Sequence, residues 1–318
     1  MKFFAPTPYF FDLGSETGIM YSKEQGVISQ RPTSILFHRE LHRFIDSTAD
    51  RLWQAEEHTP MVSISAIEKG VVADEDALVF FLEQCRQDLH LPLVCEVIRP
   101  LCVCTVPASI DPLHVMVTKR AFAKTGFGSV LLLSTPVCIY AGMRAQKTCA
   151  LIVDIGAGKT EVTTIQNGEI LHTKLLPIGS FWLAQHLHYI MEEQHALTIS
   201  WNESMSILLQ LDFLKKTQVY TLSGKDAGTG RPTTIRIARD DIDTLLNRFF
   251  SLLLAQINDV CSQTEEQVDR IFCTGGLMEI SGFSTKIGEL TGFPVEVAAR
   301  GKLAPILGAI QLYHHKVK

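Results

Sequence analysis

The chain has 318 residues, 46% of them hydrophobic, and a formal net charge of −5 from 29 Lys and Arg against 34 Asp and Glu. That length and apolar fraction allow two domains or one large two-lobed α/β unit with a substantial core, and the acidic balance excludes nucleic acid as the expected partner. The cysteines, eight in all, never form C-x-x-C and mostly lie in apolar runs, where free Cys is a small core hydrophobe; zinc and disulfide frameworks are set aside and a cytoplasmic location is expected.

The opening MKFFAPTPYFFDLG carries one lysine and an apolar stretch broken by Pro6 and Pro8, without a signal-like cleavage site, so it reads as an incoming strand. No run of ~18 apolar residues follows it. Tyr9-Phe10-Phe11 lead into Asp12-Leu13-Gly14-Ser15-Glu16-Thr17, then a second strand and the turn Gln25-Gly26.

Residues 151–165, LIVDIGAGKTEVTTI, contain GKT, the close of a P-loop. The P-loop pattern needs its first glycine five residues before the second, and that position is Val153, inside an apolar run. The stretch instead predicts a hairpin: strand, Asp154-Ile155-Gly156-Ala157-Gly158-Lys159-Thr160, second strand, and the turn Asn167-Gly168. Gly168 follows Asp154 at the same distance as Gly26 follows Asp12, so the two hairpins share one register. A repeat this long predicts two similar domains rather than an array. Facing one another, two such tips would grip a polyphosphate with backbone N–H groups, while Asp12 and Asp154 hold water around a divalent cation such as Mg²⁺.

Lys225 to Pro232 reads as a polar surface hairpin, and Asp241 to Asn258 as a core-facing helix carrying Leu245, Phe249, Leu252, Leu253 and Ile257 at helical spacing. Asp269 to Cys273 predicts a strand ending in Thr274-Gly275-Gly276, where adjacent glycines let the backbone approach a flat ligand. The end, Tyr313-His314-His315-Lys316, has no nearby Cys or carboxylate to complete a metal site.

Two strand-Asp-Gly hairpins followed by strand-T-G-G resemble the phosphate-1, phosphate-2 and adenosine motifs of the actin-like ATPase superfamily, and within it MreB, the bacterial actins of cell-shape control. DLGSETG resembles the family's D-L-G-T-A-N-T turn, DIGAGKTEV its D-I-G-G-G-T-T-E-V, IEKGVVAD its M-K-D-G-V-I-A-D, and CTGGLMEISGF with ELTGFPVEV its L-T-G-G-G-A and E-E-T-G-I-P-V-V-V. These collinear motifs span about Phe10 to Gly308. The resemblance implies an α/β fold of two lobes, each a mixed sheet flanked by helices, with a nucleotide cleft between them. The first lobe is expected at 1–136 with a small subdomain near 36–80. The second is expected at 137–318 with a small subdomain near 181–245, the C-terminal helix returning to the first lobe.

It also implies ATP and Mg²⁺ as ligands, with Asp12, Gly14, Ser15, Glu16, Thr17, Gly156, Ala157, Gly158, Lys159, Thr160, Gly179, Gly275, Gly276 and Leu277 around the nucleotide and Asp12 and Asp154 on the metal through water. Departures from the family pattern cluster at the groups that handle water, ribose and base. The catalytic candidates the resemblance implies are Asp154 and Thr135; Thr135 stands where a Glu before proline positions the attacking water, so hydrolysis is expected to be slow. Ser206 and Leu208 stand where a Lys and a Glu meet ribose and adenine. The family's G-G-D-x-F-D reads Gly179-Ser180-Phe181-Trp182-Leu183, Leu277 replaces a glycine, and Lys159 replaces a small hydroxyl residue. Lys159 is read either as a point charge on a phosphate or as a solvated lysine at a loop tip.

As in MreB-type actins, a head-to-tail homopolymer supporting cell shape is expected, with the inner membrane and wall-synthesis proteins as further partners and a peripheral membrane location. Leu91, Leu93 and Val94 are candidates for a membrane-contacting loop, with core packing as the competing reading. A non-hydrolysing actin-fold scaffold and a monomeric or chaperone-like ATPase are the alternatives.

Overall fold

The computed structural model describes residues 8–46, 60–89, 99–143 and 149–316. The chain divides into two compact units, Met1–Arg144 with Leu303–Lys318, and Ala145–Lys302.

In chain order the first unit has β1 (Tyr9–Leu13), β2 (Thr17–Ser22), β3 (Gly26–Pro32), β4 (Ser34–His38), β5 (Arg43–Asp46), β6 (Met61–Ser65) and the short pair β7 (Ile67–Glu68) and β8 (Val71–Val72). Helix α1 (Glu75–Gln87), β9 (Cys102–Val106), α2 (Pro112–Lys124), β10 (Val130–Ser134) and α3 (Thr135–Gly142) follow. The main sheet runs β10-β9-β1-β2-β3, with β1 antiparallel to β2 and parallel to β9. All of β9 is buried, as befits a strand covered on both faces. Strands β5-β4-β6 form a separate small sheet.

The helices start where side-chain caps allow. Asp74 accepts from the Ala77 N–H at the head of α1, and Asp111 accepts from the Leu113 and His114 N–H groups at the head of α2, with Pro112 in the first turn. Helix α1 buries Ala77, Leu78, Phe81, Leu82 and Cys85, a stripe at helical spacing. Phe11 packs edge-on against Phe122 and Phe127, with ring centroids 5.0 and 5.4 Å away. Glu75, in the first turn of α1, pairs with Arg120 and Lys124 of α2, and these two cations hold its carboxyl at about 2 against an ordinary value of 4.5.

Helix α3 belongs wholly to the first unit, so the division falls after Arg144 rather than at 136. The reason is its packing on the helix Ala304–Lys316. A β-carbon on Gly308 would sit 1.6 Å from the Cys138 carbonyl oxygen, so the two backbones touch there.

The second unit contains β11 (Cys149–Ile155), β12 (Thr160–Gln166), β13 (Glu169–Leu176), α4 (Ser180–His195), β14 (Leu197–Ile199), α5 (Trp201–Gln210), β15 (Val219–Asp226), β16 (Pro232–Ala238), α6 (Asp240–Ser262), β17 (Val268–Thr274), α7 (Phe283–Thr291) and β18 (Val295–Val297). Its main sheet runs β13-β12-β11-β17-β18, with β11 antiparallel to β12 and parallel to β17. This is the arrangement of the first unit again: an Asp-bearing strand with a meander on one side and parallel strands on the other. The repeat seen in the sequence is therefore a repeat of topology. Helix α6 buries Leu245, Phe249, Leu253 and Ile257 as its spacing predicts, while Leu252 stays 39% exposed.

Gly308→Ala is expected to cost ~1–3 kcal/mol or more, because a rigid backbone carbonyl occupies the space the methyl needs; urea unfolding would measure it, and an unchanged midpoint would contradict the close approach. Glu75 has a depressed pKa in the fold, so its contribution is fully present above 4.5 and is lost as pH falls toward about 2. The stability gap between wild type and Glu75→Gln should be widest above that window and close within it; a gap that does not change with pH would contradict the pairing.

Candidate functional site

Both Asp-Gly hairpins form, and they close in the same way. In the first unit the Gly14 N–H donates to the Thr17 carbonyl (3.2 Å), leaving Ser15 and Glu16 at the tip. In the second the Gly156 N–H donates to the Lys159 carbonyl (2.9 Å), leaving the N–H groups of Ala157 and Gly158 outside the hairpin's own hydrogen bonds. Asp12 lies beside Thr105 on the parallel neighbour strand, and Asp154 beside Thr274. The Thr105 hydroxyl donates to the Asp12 carboxylate at 2.5 Å, which fixes one carboxylate oxygen in place. The tip of the first hairpin is tied down by Thr33, whose N–H donates to the Glu16 carbonyl and whose hydroxyl donates to the Gly14 carbonyl.

The second hairpin is tied to a helix instead. The Ser180 and Phe181 N–H groups, at the start of α4, donate to the carbonyls of Gly156 (3.2 Å) and Ala157 (3.0 Å). No side chain caps α4; the loop carbonyls satisfy two of its orphan donors. This requires Gly179, since a β-carbon there would sit 2.3 Å from the Gly156 oxygen and 2.4 Å from the Ala157 oxygen. Gly275 makes a matching approach from β17: its φ is +100°, and a β-carbon would lie 2.0 Å from the Ile155 oxygen. Gly156, Ala157, Gly158, Gly179 and Gly275 thus belong to one glycine-held backbone cradle. Gly276 follows with Lys302 beside it, a β-carbon there standing 3.5 Å from Lys302 Cε.

Several side chains singled out in the sequence are occupied within the chain. Thr160 is fully buried and donates its hydroxyl to the Ile178 carbonyl at 2.8 Å, which positions Gly179. Leu277 is buried in the hydrophobic core of this unit. Lys159 is neither a solvated tip lysine nor aimed away from the protein: it is 9% exposed, with its Nζ 2.8 Å from Glu161 Oε2. Thr135 is buried and donates its hydroxyl to the Val106 carbonyl at 3.0 Å, so it has only oxygen lone pairs to offer a water. The thiols at the strand ends are inert by burial, Cys273 pushed up to about 12 and Cys104 raised well above its ordinary value.

In α5, Glu203 is held by the Ser223 N–H at 2.7 Å and Leu208 is buried, so this helix turns an apolar face inward at the second of the positions where the family carries charge. Sequence reasoning passed over Glu161, Thr105 and Lys302. Glu161 was legible, because it directly follows GKT and alternation puts it on the face of Lys159; Thr105 and Lys302 depend on strand register and chain return, which no local pattern reveals. Leu91, Leu93 and Val94 lie outside the described residues. Among the described residues there is no cluster of three or more His, Cys, Asp or Glu side chains able to hold a metal ion, and no helix is long and apolar enough to cross a membrane.

The profile of the MreB/Mbl protein family matches residues 9–318. The cell shape-determining protein Mbl of Bacillus subtilis (strain 168) is 23% identical over 302 residues, covering 90% of each chain. The cell shape-determining protein MreB of Pasteurella multocida (strain Pm70) is 22% identical over 316 residues, covering 90% of this chain and 87% of its own. Among solved structures, MreB5 of Spiroplasma citri bound to AMPPNP superposes with a TM-score of 0.88 at 17% identity, covering 98% of this chain and 97% of the other. The MamK double helical filament gives 0.77 at 16% identity, covering 96% and 99%. The fold is thus the actin-like one, and the chain belongs to the MreB/Mbl family.

Proposed function

We propose that this chain binds ATP with Mg²⁺ and assembles head to tail into a filament that supports cell shape. The observation that carries the reading is the glycine-held cradle of the second unit, where Gly179 and Gly275 press backbone against the Asp154 hairpin and leave the Ala157 and Gly158 N–H groups for an anion. A nucleotide fits this donor set: backbone N–H groups and small residues for phosphate, and Gly276, beside the Gly275 that packs on Ile155, for close approach of a flat base. Asp154 would hold Mg²⁺ through water at this hairpin, Asp12 being the corresponding carboxylate of the first unit's hairpin, and the ion would neutralise phosphate charge when bound. Relatives support the reading, since MreB5 was solved with AMPPNP and with ADP and MamK as a double helical filament. A head-to-tail contact that does not close generates an open filament. A cytoplasmic protein docked at the inner face of the membrane, with wall-synthesis proteins as partners, is the cellular setting proposed.

A non-hydrolysing form of this reading rests on Thr135. With its proton committed to the Val106 carbonyl, the hydroxyl orients water weakly and cannot act as a base. Turnover is slow, and nucleotide serves assembly more than a hydrolytic cycle.

High-speed pelleting with ATP-Mg²⁺, with ADP-Mg²⁺ and without nucleotide, each with and without anionic vesicles, is expected to show nucleotide-dependent filaments that Asp154→Ala abolishes. A wild-type chain that neither binds a fluorescent ATP analogue nor pellets in any arm would end the proposal. Gly179→Ala is expected to weaken nucleotide binding by about tenfold or more, because the methyl displaces the Gly156 and Ala157 carbonyls and with them the loop; unaltered affinity in a folded variant would remove the cradle from the site. Phosphate release is expected to stay near background while binding persists, and rapid release would show that Thr135 does not limit turnover.

A further inference from the structure

We infer that Lys159 is a resident cation of the phosphate hairpin, holding the carboxylate face of Asp154 and Glu161 without a divalent ion and lowering the dependence of nucleotide binding on that ion. The inference rests on the nucleotide-binding reading above. Strand register sets Asp154 of β11 directly opposite Glu161 of β12. Directly opposed residues of an antiparallel pair share a face with β-carbons ~4.5–5.5 Å apart, and like charges so placed repel. Glu161 is 1% exposed, so its carboxylate lacks the water that would screen it.

Lys159 answers that repulsion. Its Nζ sits 2.8 Å from Glu161 Oε2, and its own carbonyl accepts the Gly156 N–H that closes the hairpin. The residue is therefore fixed at both ends, backbone at the loop closure and ammonium on the buried carboxylate. In the family motif D-I-G-G-G-T-T-E-V the glutamate is kept and a hydroxyl residue stands where Lys159 is, so this chain adds a cation beside Glu161 and across the strand pair from Asp154. That cation is next in sequence to Gly158 and two residues from Ala157, whose N–H groups lie outside the hairpin's own bonds. An incoming phosphate meets a hairpin on which the Glu161 charge is already balanced by Lys159, leaving a smaller net negative charge on that face. An ion pair that merely stabilises the hairpin would leave metal dependence untouched, and this separates the two roles.

The test uses the full chain, Lys159→Gln and Glu161→Gln, with folding checked by circular dichroism. Two quantities are read: Mn²⁺ binding without nucleotide, by electron paramagnetic resonance, and the affinity for a fluorescent ATP analogue with Mg²⁺ or with EDTA. Wild type should bind no Mn²⁺ alone and lose less than about threefold in nucleotide affinity with EDTA, whereas Lys159→Gln should bind Mn²⁺ and lose about tenfold or more. Glu161→Gln releases the ammonium from its partner, so its metal-free affinity should rise by about tenfold. Glu161→Gln decides the matter if Lys159→Gln, which removes the ammonium from a buried carboxylate, does not fold. Equal EDTA losses in wild type and variants, or equal Mn²⁺ binding in wild type and Lys159→Gln, would overturn the inference. If no form binds nucleotide even with Mg²⁺, the nucleotide reading fails, while the Mn²⁺ comparison still decides what Lys159 does.

Discussion

The carbonyl groups of Gly156 and Ala157 cap the first turn of α4, and most of what distinguishes the second unit follows from that contact. A helix start leaves N–H groups without partners, and satisfying one is worth about 0.5–2 kcal/mol when a side chain does it. Here a loop does it, which ties the hairpin to the helix and leaves the Ala157 and Gly158 N–H groups outside both sets of bonds. The arrangement tolerates no side chain at residue 179. Thr160 supports it from the other side by bonding the Ile178 carbonyl, so the hairpin and the approach to the helix are stapled on both flanks.

The first unit solves the same problem with different material. Its hairpin closes through the same glycine-to-carbonyl bond, but Thr33, just beyond β3, secures the tip instead of a helix. Common strand order and a common closing bond, with different tethers, are what a duplicated scaffold looks like after its halves have taken separate local solutions. Each Asp is the residue two before the loop glycine and lies beside a threonine on the parallel strand, so the register of the sheet, rather than the loop, decides where the carboxylates are held.

The groups that build the scaffold and those that would perform hydrolysis have different physical demands. Backbone cradles need glycine at Gly179 and Gly275, and the chain keeps them. Activating a water needs a base, and Thr135 supplies only a hydroxyl already spent on a backbone carbonyl. Leu208 has likewise become part of a core. A buried charge is costly unless paired, which explains why Lys159 lies against Glu161 rather than extending into solvent.

Much of this was written in local patterns. Glycine spacing alone excludes the P-loop, the paired Asp-Gly hairpins and their shared register are legible in the sequence, and the apolar period of α6 marks its buried face. These are properties of neighbouring residues, set by dihedral preference and side-chain alternation, which a linear reading captures. Tertiary structure decided the rest: that Lys159 turns back onto Glu161, that Thr135 and Thr160 give their protons to carbonyls from other segments, and that α3 packs on the helix Ala304–Lys316 through Gly308. Each depends on which distant backbone a side chain meets, and hydrogen-bond partners and close approaches of that kind are fixed by packing, where burial makes an unpaired polar group too costly to leave alone.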